Sequence, residues 1–534
     1  MNRFVIDNVR IIDGTGTVGK PGSVEVSDGR IVCVRYGEAE TPLAAEKIDG
    51  GGLVLAPGFI DTHSHTDLFL GEYDLNAEKL EQGITTEICG QCGLGPAPVS
   101  AKHYTEYVEY YRTLGLPIYR NSDRFIGFGA YLDACEERPH GTNLAFFVPH
   151  GTLRIAAMGL SSKEPDLQEL TLMKRLLSEA MEAGAMGMST GLIYSPGSFA
   201  HFEELASLAE TIGSYGGIYT THIRDEEDGV VMAVEEAIAI ARHGSARLNV
   251  SHHKAMGQRN WGLIRKTVAM IRSSGLPSSF DIYPYTASST TIWGMIPAAL
   301  QGYGPKGLLQ ELDHPDVITI LRNTPLDFEK MLIIGAPGAS ECEGKTVSEI
   351  AKRLSLSDLE AFVWIIRKTG MGAYISNFGI SEEDICYLMN CSQCLFGTDG
   401  LYMPGMKYFH PRAVGSFPRI LGRFVREKNV LPLEEAIHRM TGLAAEVYGL
   451  KERGVIREGF AADLVLFNPE YIADHADYSN PLERNEGIEK VWINGVLAVE
   501  RGRVTGHKGG KVLRKKDESH FGTKEQKPGK RLEG

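Results

Sequence analysis

The sequence predicts a parallel α/β fold: an eightfold (β/α) barrel with insertions, joined to a small β domain assembled from both chain ends. Two observations carry this. Between residues 57 and 441, short apolar runs of β character alternate with amphipathic helical patterns such as LQELTLMKRLLSEAMEAG (167–184) and VVMAVEEAIAIARHG (230–244). That alternation is how strands are laid parallel by helical crossovers. On either side of this region the texture changes to short strands and turns.

The strand-and-turn texture begins with RFVIDNVRIID (3–13), GSVEVSDGRIVCVRYG (22–37) and AEKIDGGGLVLAPG (45–58), and returns in ADLVLFNPE (462–470) and EKVWINGVLAVERGRV (489–504). Residues 1–56 and 442–510 are therefore expected to pair into one small domain. The span 57–441 exceeds the roughly 250 residues of a plain eightfold barrel, so it must carry an insertion. The rhythm breaks at about 287–345, around GYGPKGLLQELDHPDVITILRN. Residues 511–534 are polar, basic and glycine-containing and read as a flexible tail. No short internal repeat is visible.

Composition narrows the function. The 534 residues are 43% hydrophobic and 23% charged, within globular ranges, and the formal charge is -13. An acidic chain does not suit nucleic acid or an anionic membrane, which leaves a small molecule as the expected partner. The N-terminus alternates like a strand and lacks a signal peptide's apolar core, and no segment approaches about 18 consecutive apolar residues. A cytoplasmic protein is the expectation. Eight cysteines are too dilute for a disulfide framework and read as reduced core residues or ligands.

The stretch LAPGFIDTHSHTDLFL (55–70) ends an apolar run with His63 and His65. On a strand, positions i and i+2 share a face, so two imidazoles there make a half-site for zinc; a hydrogen-bonded surface pair is the alternative. Further ligand-type residues close other apolar segments: Cys92 in TTEICGQCGLGP, His222 in GGIYTTHIRDE, His252 in ARLNVSHHKAMG and Asp399 in CLFGTDG. The C-terminal strand ends of a parallel barrel open onto one face, which would gather these donors into a site for one or two zinc ions. Asp399 before Gly400 also suits an ordinary turn. Cys89 and Cys92 with Cys391 and Cys394 could form a four-cysteine knuckle, but about 300 intervening residues speak against it. Cys89 reads as core, and His253 as a packing residue facing away from His252. Lys254, two positions beyond His252, would bring positive charge to the same neighbourhood.

Ordered motifs then carry a resemblance. PGFIDTHSHTD, QGITTEICGQCGLGPAP, PHGTLR, GAMGMSTGLIYSPG, YTTHIRDE, SHHK, DIYPYTASST, FGTDG, HPRAVGSFPRIL, MTGLAAEVYGL and RGVIREGFAADLVLFNP run from about residue 3 to 515. The chain resembles the N-acyl-D-amino-acid deacylases (D-aminoacylases) of the amidohydrolase superfamily. This implies a zinc-bearing (β/α)8 barrel, a β-sandwich from both chain ends, and hydrolysis of N-acyl-D-amino acids to a D-amino acid and a carboxylate. It implies Cys92, His222 and His252 around a tightly held zinc, and His63 and His65 at a second, weaker position. Asp399 would be the general base and then general acid. Much of the superfamily bridges two metals through a carboxylated lysine; GAMGMSTGLIYSPG has none, which leaves Cys92 as the bridge.

The resemblance also suggests Tyr194 as an oxyanion partner, with a core tyrosine as the alternative. Lys254, Tyr285, Arg412 and Ser289 are suggested for the substrate carboxylate, a surface salt bridge being the alternative for Arg412. His150 and Arg154 match without a derivable role. TASSTTIWGMIP (286–297) offers Ile292, Trp293 and Met295 and no basic residue, so neutral, mainly hydrophobic side chains are expected. The competing functions are a cyclic amide hydrolase of hydantoinase or dihydroorotase type, and a non-catalytic scaffold on the same fold.

Overall fold

The computed structural model describes residues 3–37, 46–119, 121–402 and 404–515. Eight short parallel strands form its centre: β1 (Phe59–Asp61), β2 (Ile84–Cys89), β3 (Asn143–Phe146), β4 (Gly187–Gly191), β5 (Ile218–His222), β6 (Arg247–Val250), β7 (Ser278–Ile282) and β8 (Cys394–Phe396). β1, β2 and β3 pair in order, and β4 to β8 pair in order. Two seams link the sets. Val148–Pro149, just past β3, pairs with β4, and the Thr62 amide beyond β1 donates to the Phe396 carbonyl of β8. β2, β3, β4 and β5 are buried at every position, as strands covered by helices must be.

The helices follow from their patterning. In Leu167–Ala183, Met173, Leu176, Leu177, Ala180 and Met181 form the buried stripe. Asp166 and Glu169 make a reciprocal capping box at its start, and Gly184 ends it with φ at 107°.

The insertion between β7 and β8 is longer than the 287–345 expected. Its antiparallel sheet has the order Ala287–Thr291, Tyr374–Phe378, Met331–Gly335, Lys345–Thr346, so the interruption runs almost to β8. The sequence hid this because the helices Val347–Leu354 and Asp358–Thr369 carry the same 3.6-residue apolar period as crossover helices.

Both chain ends join one nine-stranded sheet. Its hinge is Val54–Pro57, which pairs in parallel with Arg3–Ile11 and antiparallel with Leu464–Phe467. Phe4 and Trp492 stack at 5.9 Å, although two strands lie between theirs. In a flat sheet they would be about 14 Å apart, so the sheet curls over its own apolar face. Residues 442–448, grouped with the end domain from sequence, lie elsewhere. This helix packs through Ala444, Ala445 and Tyr448 against Ile60, Ile88, Ala145 and Leu395 of the parallel strands.

Residues 511–515 are not a loose tail. The Leu144 amide donates to the Lys511 carbonyl and the Leu513 amide to the Leu144 carbonyl, while Arg514 pairs with Asp133 and Glu136. Residues 516–534 lie outside the described residues. Among those described, no helix is long and apolar enough to cross a membrane.

Candidate metal centre and substrate cleft

The ligand-type residues meet at the C-terminal ends of the parallel strands. His222 is the last residue of β5, His252 lies two residues past β6, and Cys92 and Asp399 lie three residues past β2 and β8. β1 ends at Asp61, so His63 and His65 occupy the following turn. Strand alternation therefore does not aim them, yet their rings converge at 5.4 Å. Gly397 makes room here, since a Cβ on it would come within 2.6 Å of His63 Cβ. Cys92, His252 and Asp399 have φ of 53°, 34° and 47°. A non-glycine residue in that region costs backbone energy and persists where its surroundings impose it.

Two donor groups result: His63, His65, Cys92 and Asp399; and Cys92, His222 and His252, each with its ligand atoms within 4.8 Å of one another. Cys92 belongs to both, its Sγ 3.3 Å from His63 Nε2 and 3.4 Å from His252 Nε2. Asp399 Oδ1 is 3.1 Å from His65 Nε2. Among the described residues, both ring nitrogens of buried His222 and Nδ1 of His65 have no hydrogen-bond partner. Orphaned imidazole nitrogens beside a thiol are costly unless a cation fills the gap; the donor set fits a thiophilic, borderline metal. Burial pushes the Cys92 thiol up, but the nearby His63 and His252 outweigh it and hold it well below the usual thiol range, toward the thiolate that ligation needs. Burial likewise opposes ionisation of Asp399, and Arg412 with His252 and His63 overrides it, holding the carboxyl well below its ordinary value.

Three supporting groups escaped the sequence reading. Glu226 Oε1 lies 3.1 Å from His252 Nδ1 and accepts from Lys254 Nζ at 2.6 Å; its position four residues after His222 was the available signal. Asp281 in β7 lies 3.1 Å from His63 Nδ1 through Oδ1, which also accepts the His252 amide at 2.8 Å. Its one available signal was its place between Phe280 and Ile282 near the end of a buried strand. Buried Lys79 donates to Asp61 Oδ2 and Thr398 Oγ1, both at 2.6 Å, bracing the turn before Asp399 against the end of β1. Because carboxylates behind imidazoles fix ring orientation and basicity, Glu226→Gln is expected to weaken metal binding roughly 10- to 100-fold. Competition against a chromogenic chelator measures this; unchanged affinity would remove Glu226 from that role.

The cleft over these groups has a volume of about 540 Å3. Lys254 and Ser289 line it; Lys254 follows the end of β6 and sits in the loop, with Nζ 3.0 Å from His252 Nδ1. Arg412 is 3% exposed, so the surface salt bridge is replaced by a buried one, Nη1 to Asp399 Oδ2 at 2.7 Å. Its Nη2 donates to the Ser289 carbonyl at 3.1 Å. Tyr194 also lines the cleft, its ring 5.3 Å from His222 and its hydroxyl 2.9 Å from Thr290 Oγ1. Tyr285 does not reach it. Its hydroxyl donates to Asp474 Oδ2 at 3.2 Å and Arg419 covers its ring, because the chain has turned at Pro284 toward the inserted sheet. Tyr283 lines the cleft instead, with Arg412 4.5 Å and Lys254 5.8 Å from its ring and a buried hydroxyl that has no hydrogen-bond partner among the described residues.

His150 and Arg154 are structural: both bind Glu204, and Arg154 also donates to the Ser161 and Lys163 carbonyls. His253 turns away to Thr267 Oγ1. Cys89, Cys391 and Cys394 are buried free thiols with no zinc knuckle between them.

The amidohydrolase family matches residues 46–272 and 393–499, leaving out the stretch that carries the inserted sheet. N-acyl-D-aspartate deacylase of Alcaligenes xylosoxydans xylosoxydans is 36% identical over 513 residues, covering 96% of this chain and 94% of its own length. D-aminoacylase of the same organism is 34% identical over 505 residues, covering 94% and 96%. Among solved structures, N-acyl-D-glutamate deacylase from Bordetella bronchiseptica, complexed with zinc and a phosphonate mimic of the tetrahedral intermediate, superimposes with a TM-score of 0.81 at 34% identity, covering 96% of this chain and 99% of the other.

Proposed function

Since the chain belongs to the amidohydrolase family, within its N-acyl-D-amino-acid deacylase branch, we propose that it hydrolyses the linear amide of N-acyl-D-amino acids with zinc as cofactor. One observation supports this above the others: two donor groups share Cys92 directly beside Lys254, Tyr283 and Arg412, a buried set suited to a carboxylate. The wider frame is read as a closed (β/α)8 barrel that takes in the helix of residues 442–448, with the curled sheet of the chain ends as a β-sandwich.

Cys92, His222 and His252 would hold one zinc tightly, and His63, His65 and Asp399 with Cys92 a second more weakly. Zinc at this place supplies polarisation of the amide carbonyl and acidification of a water. Asp399, kept as a carboxylate by Arg412, accepts the proton of the attacking water. It returns that proton to the amide nitrogen as the C–N bond breaks, so the amine leaves neutral. Tyr194 can donate its hydroxyl to the oxygen that gains charge. Arg412, Lys254 and the unpartnered Tyr283 hydroxyl hold the α-carboxylate and orient the D centre.

Neutral or hydrophobic side chains remain the expected substrates. The wall near Ser289, where TASSTTIWGMIP runs, presents Met295 and Ile296 and no basic residue of that stretch. Paired N-acetyl-D- and N-acetyl-L-leucine, with N-acetyl-D-glutamate alongside, test both points. Zinc-loaded protein should turn over the D-leucine derivative at least tenfold faster than either other compound. Faster glutamate turnover overturns the side-chain assignment; release from neither enantiomer overturns the deacylase reading.

A further inference from the structure

The cleft is larger than its substrate class needs. An N-acetyl amino acid has roughly a dozen heavy atoms, whereas cavities of this size hold drug-sized ligands. The surplus has a definite place and chemistry. The carboxylate set comes from the ends of β6 and β7 and from the helix Arg412–Arg419 after β8. Across the donor groups, the segments following β1, β2 and β4 and the connection between β2 and β3 present Leu68, Leu94, Leu192, Leu114 and Leu116. In a ring of eight strands, β2 and β3 stand opposite β6 and β7. An amide whose α-carboxylate is anchored on one side, with its carbonyl at the donor groups, must send its acyl carbons to the other.

We propose that these five leucines form an acyl pocket and that the preferred substrates carry a medium-length aliphatic acyl group, on the order of six to eight carbons, in place of acetyl. This rests on the deacylase reading above. The wall is held in place: Tyr374 of the inserted sheet donates to the Gly115 carbonyl at 2.7 Å, fixing Leu114 and Leu116 between the sheet and the cleft. An apolar chain gains from leaving water along such a wall, while a charged or strongly polar acyl group would lose solvation without a partner.

The test is a series of N-acyl-D-leucines with acetyl, butyryl, hexanoyl, octanoyl and succinyl groups, assayed with the zinc-loaded full chain. From acetyl to hexanoyl kcat/KM is expected to rise at least tenfold, with succinyl at or below acetyl. Leu116→Trp, which fills the pocket, should erase that preference, bringing the hexanoyl-to-acetyl ratio near one. A flat or falling series with acetyl-D-leucine still hydrolysed overturns the acyl pocket and leaves the deacylase reading standing. Hydrolysis of no member overturns both. The wild-type series decides the matter even if the tryptophan variant fails to fold.

Discussion

Asp399→Asn is expected to lower kcat/KM roughly 10³-fold or more while keeping close to one equivalent of bound metal, that assigned to Cys92, His222 and His252. Asparagine keeps the shape and an oxygen for Arg412 but cannot take a proton from water or return it to the amine, and general acid–base contributions span about 10²- to 10⁴-fold. In the structure Asp399 touches three partners, His63, His65 and Arg412, and the substitution removes the charge without opening a cavity. Steady-state kinetics on an N-acetyl-D-amino acid, alongside metal analysis of the same preparation, checks it. Activity within tenfold of the parent would assign proton transfer elsewhere.

Cys92→Ala is expected to be more severe, because Cys92 is the residue common to both donor groups. On the proposed assignment, its loss would take one donor from the group with His222 and His252 and one from the group with His63, His65 and Asp399. Metal should fall below a tenth of an equivalent after gel filtration, and hydrolysis to background, since the carbonyl and water then lack their Lewis acid. His65→Ala affects one group alone and should keep close to one equivalent. A Cys92→Ala protein that retains a full equivalent would dismiss the shared-thiolate arrangement.

Much of this site was legible in the chain because its donors stand at the ends of apolar runs. Parallel topology brings such ends to one face however far apart they lie in sequence, so His222, His252 and Asp399 could be gathered without knowing the loops. Residue orientation beyond a strand was not legible. Periodicity stops where the strand stops, and His63, His65 and Lys254 all lie past that point. Tyr283 and Tyr285 share parity in the sequence, but the turn at Pro284 sends only the first into the cleft. Glu226 and Asp281 were missed for a different reason: a carboxylate behind an imidazole is defined by a contact, and single acidic residues near strand ends are too common to stand out. The helices of the insertion imitated crossover helices because amphipathic period reports burial of one face and says nothing about which sheet covers it.

The seam between β8 and β1 also bears on how the molecule comes to exist. Its amide-to-carbonyl link from Thr62 to Phe396 joins residues 334 positions apart in the chain. Until β8 emerges, a nascent chain holds β1 with an unsatisfied edge, and the strand Val54–Pro57 waits still longer for Leu464–Phe467. Contacts of such sequence separation are slow to form, and open edges invite pairing with other chains. Expression of this protein is therefore a race between completing the chain and aggregation, and fragments ending before residue 394 should accumulate as insoluble material.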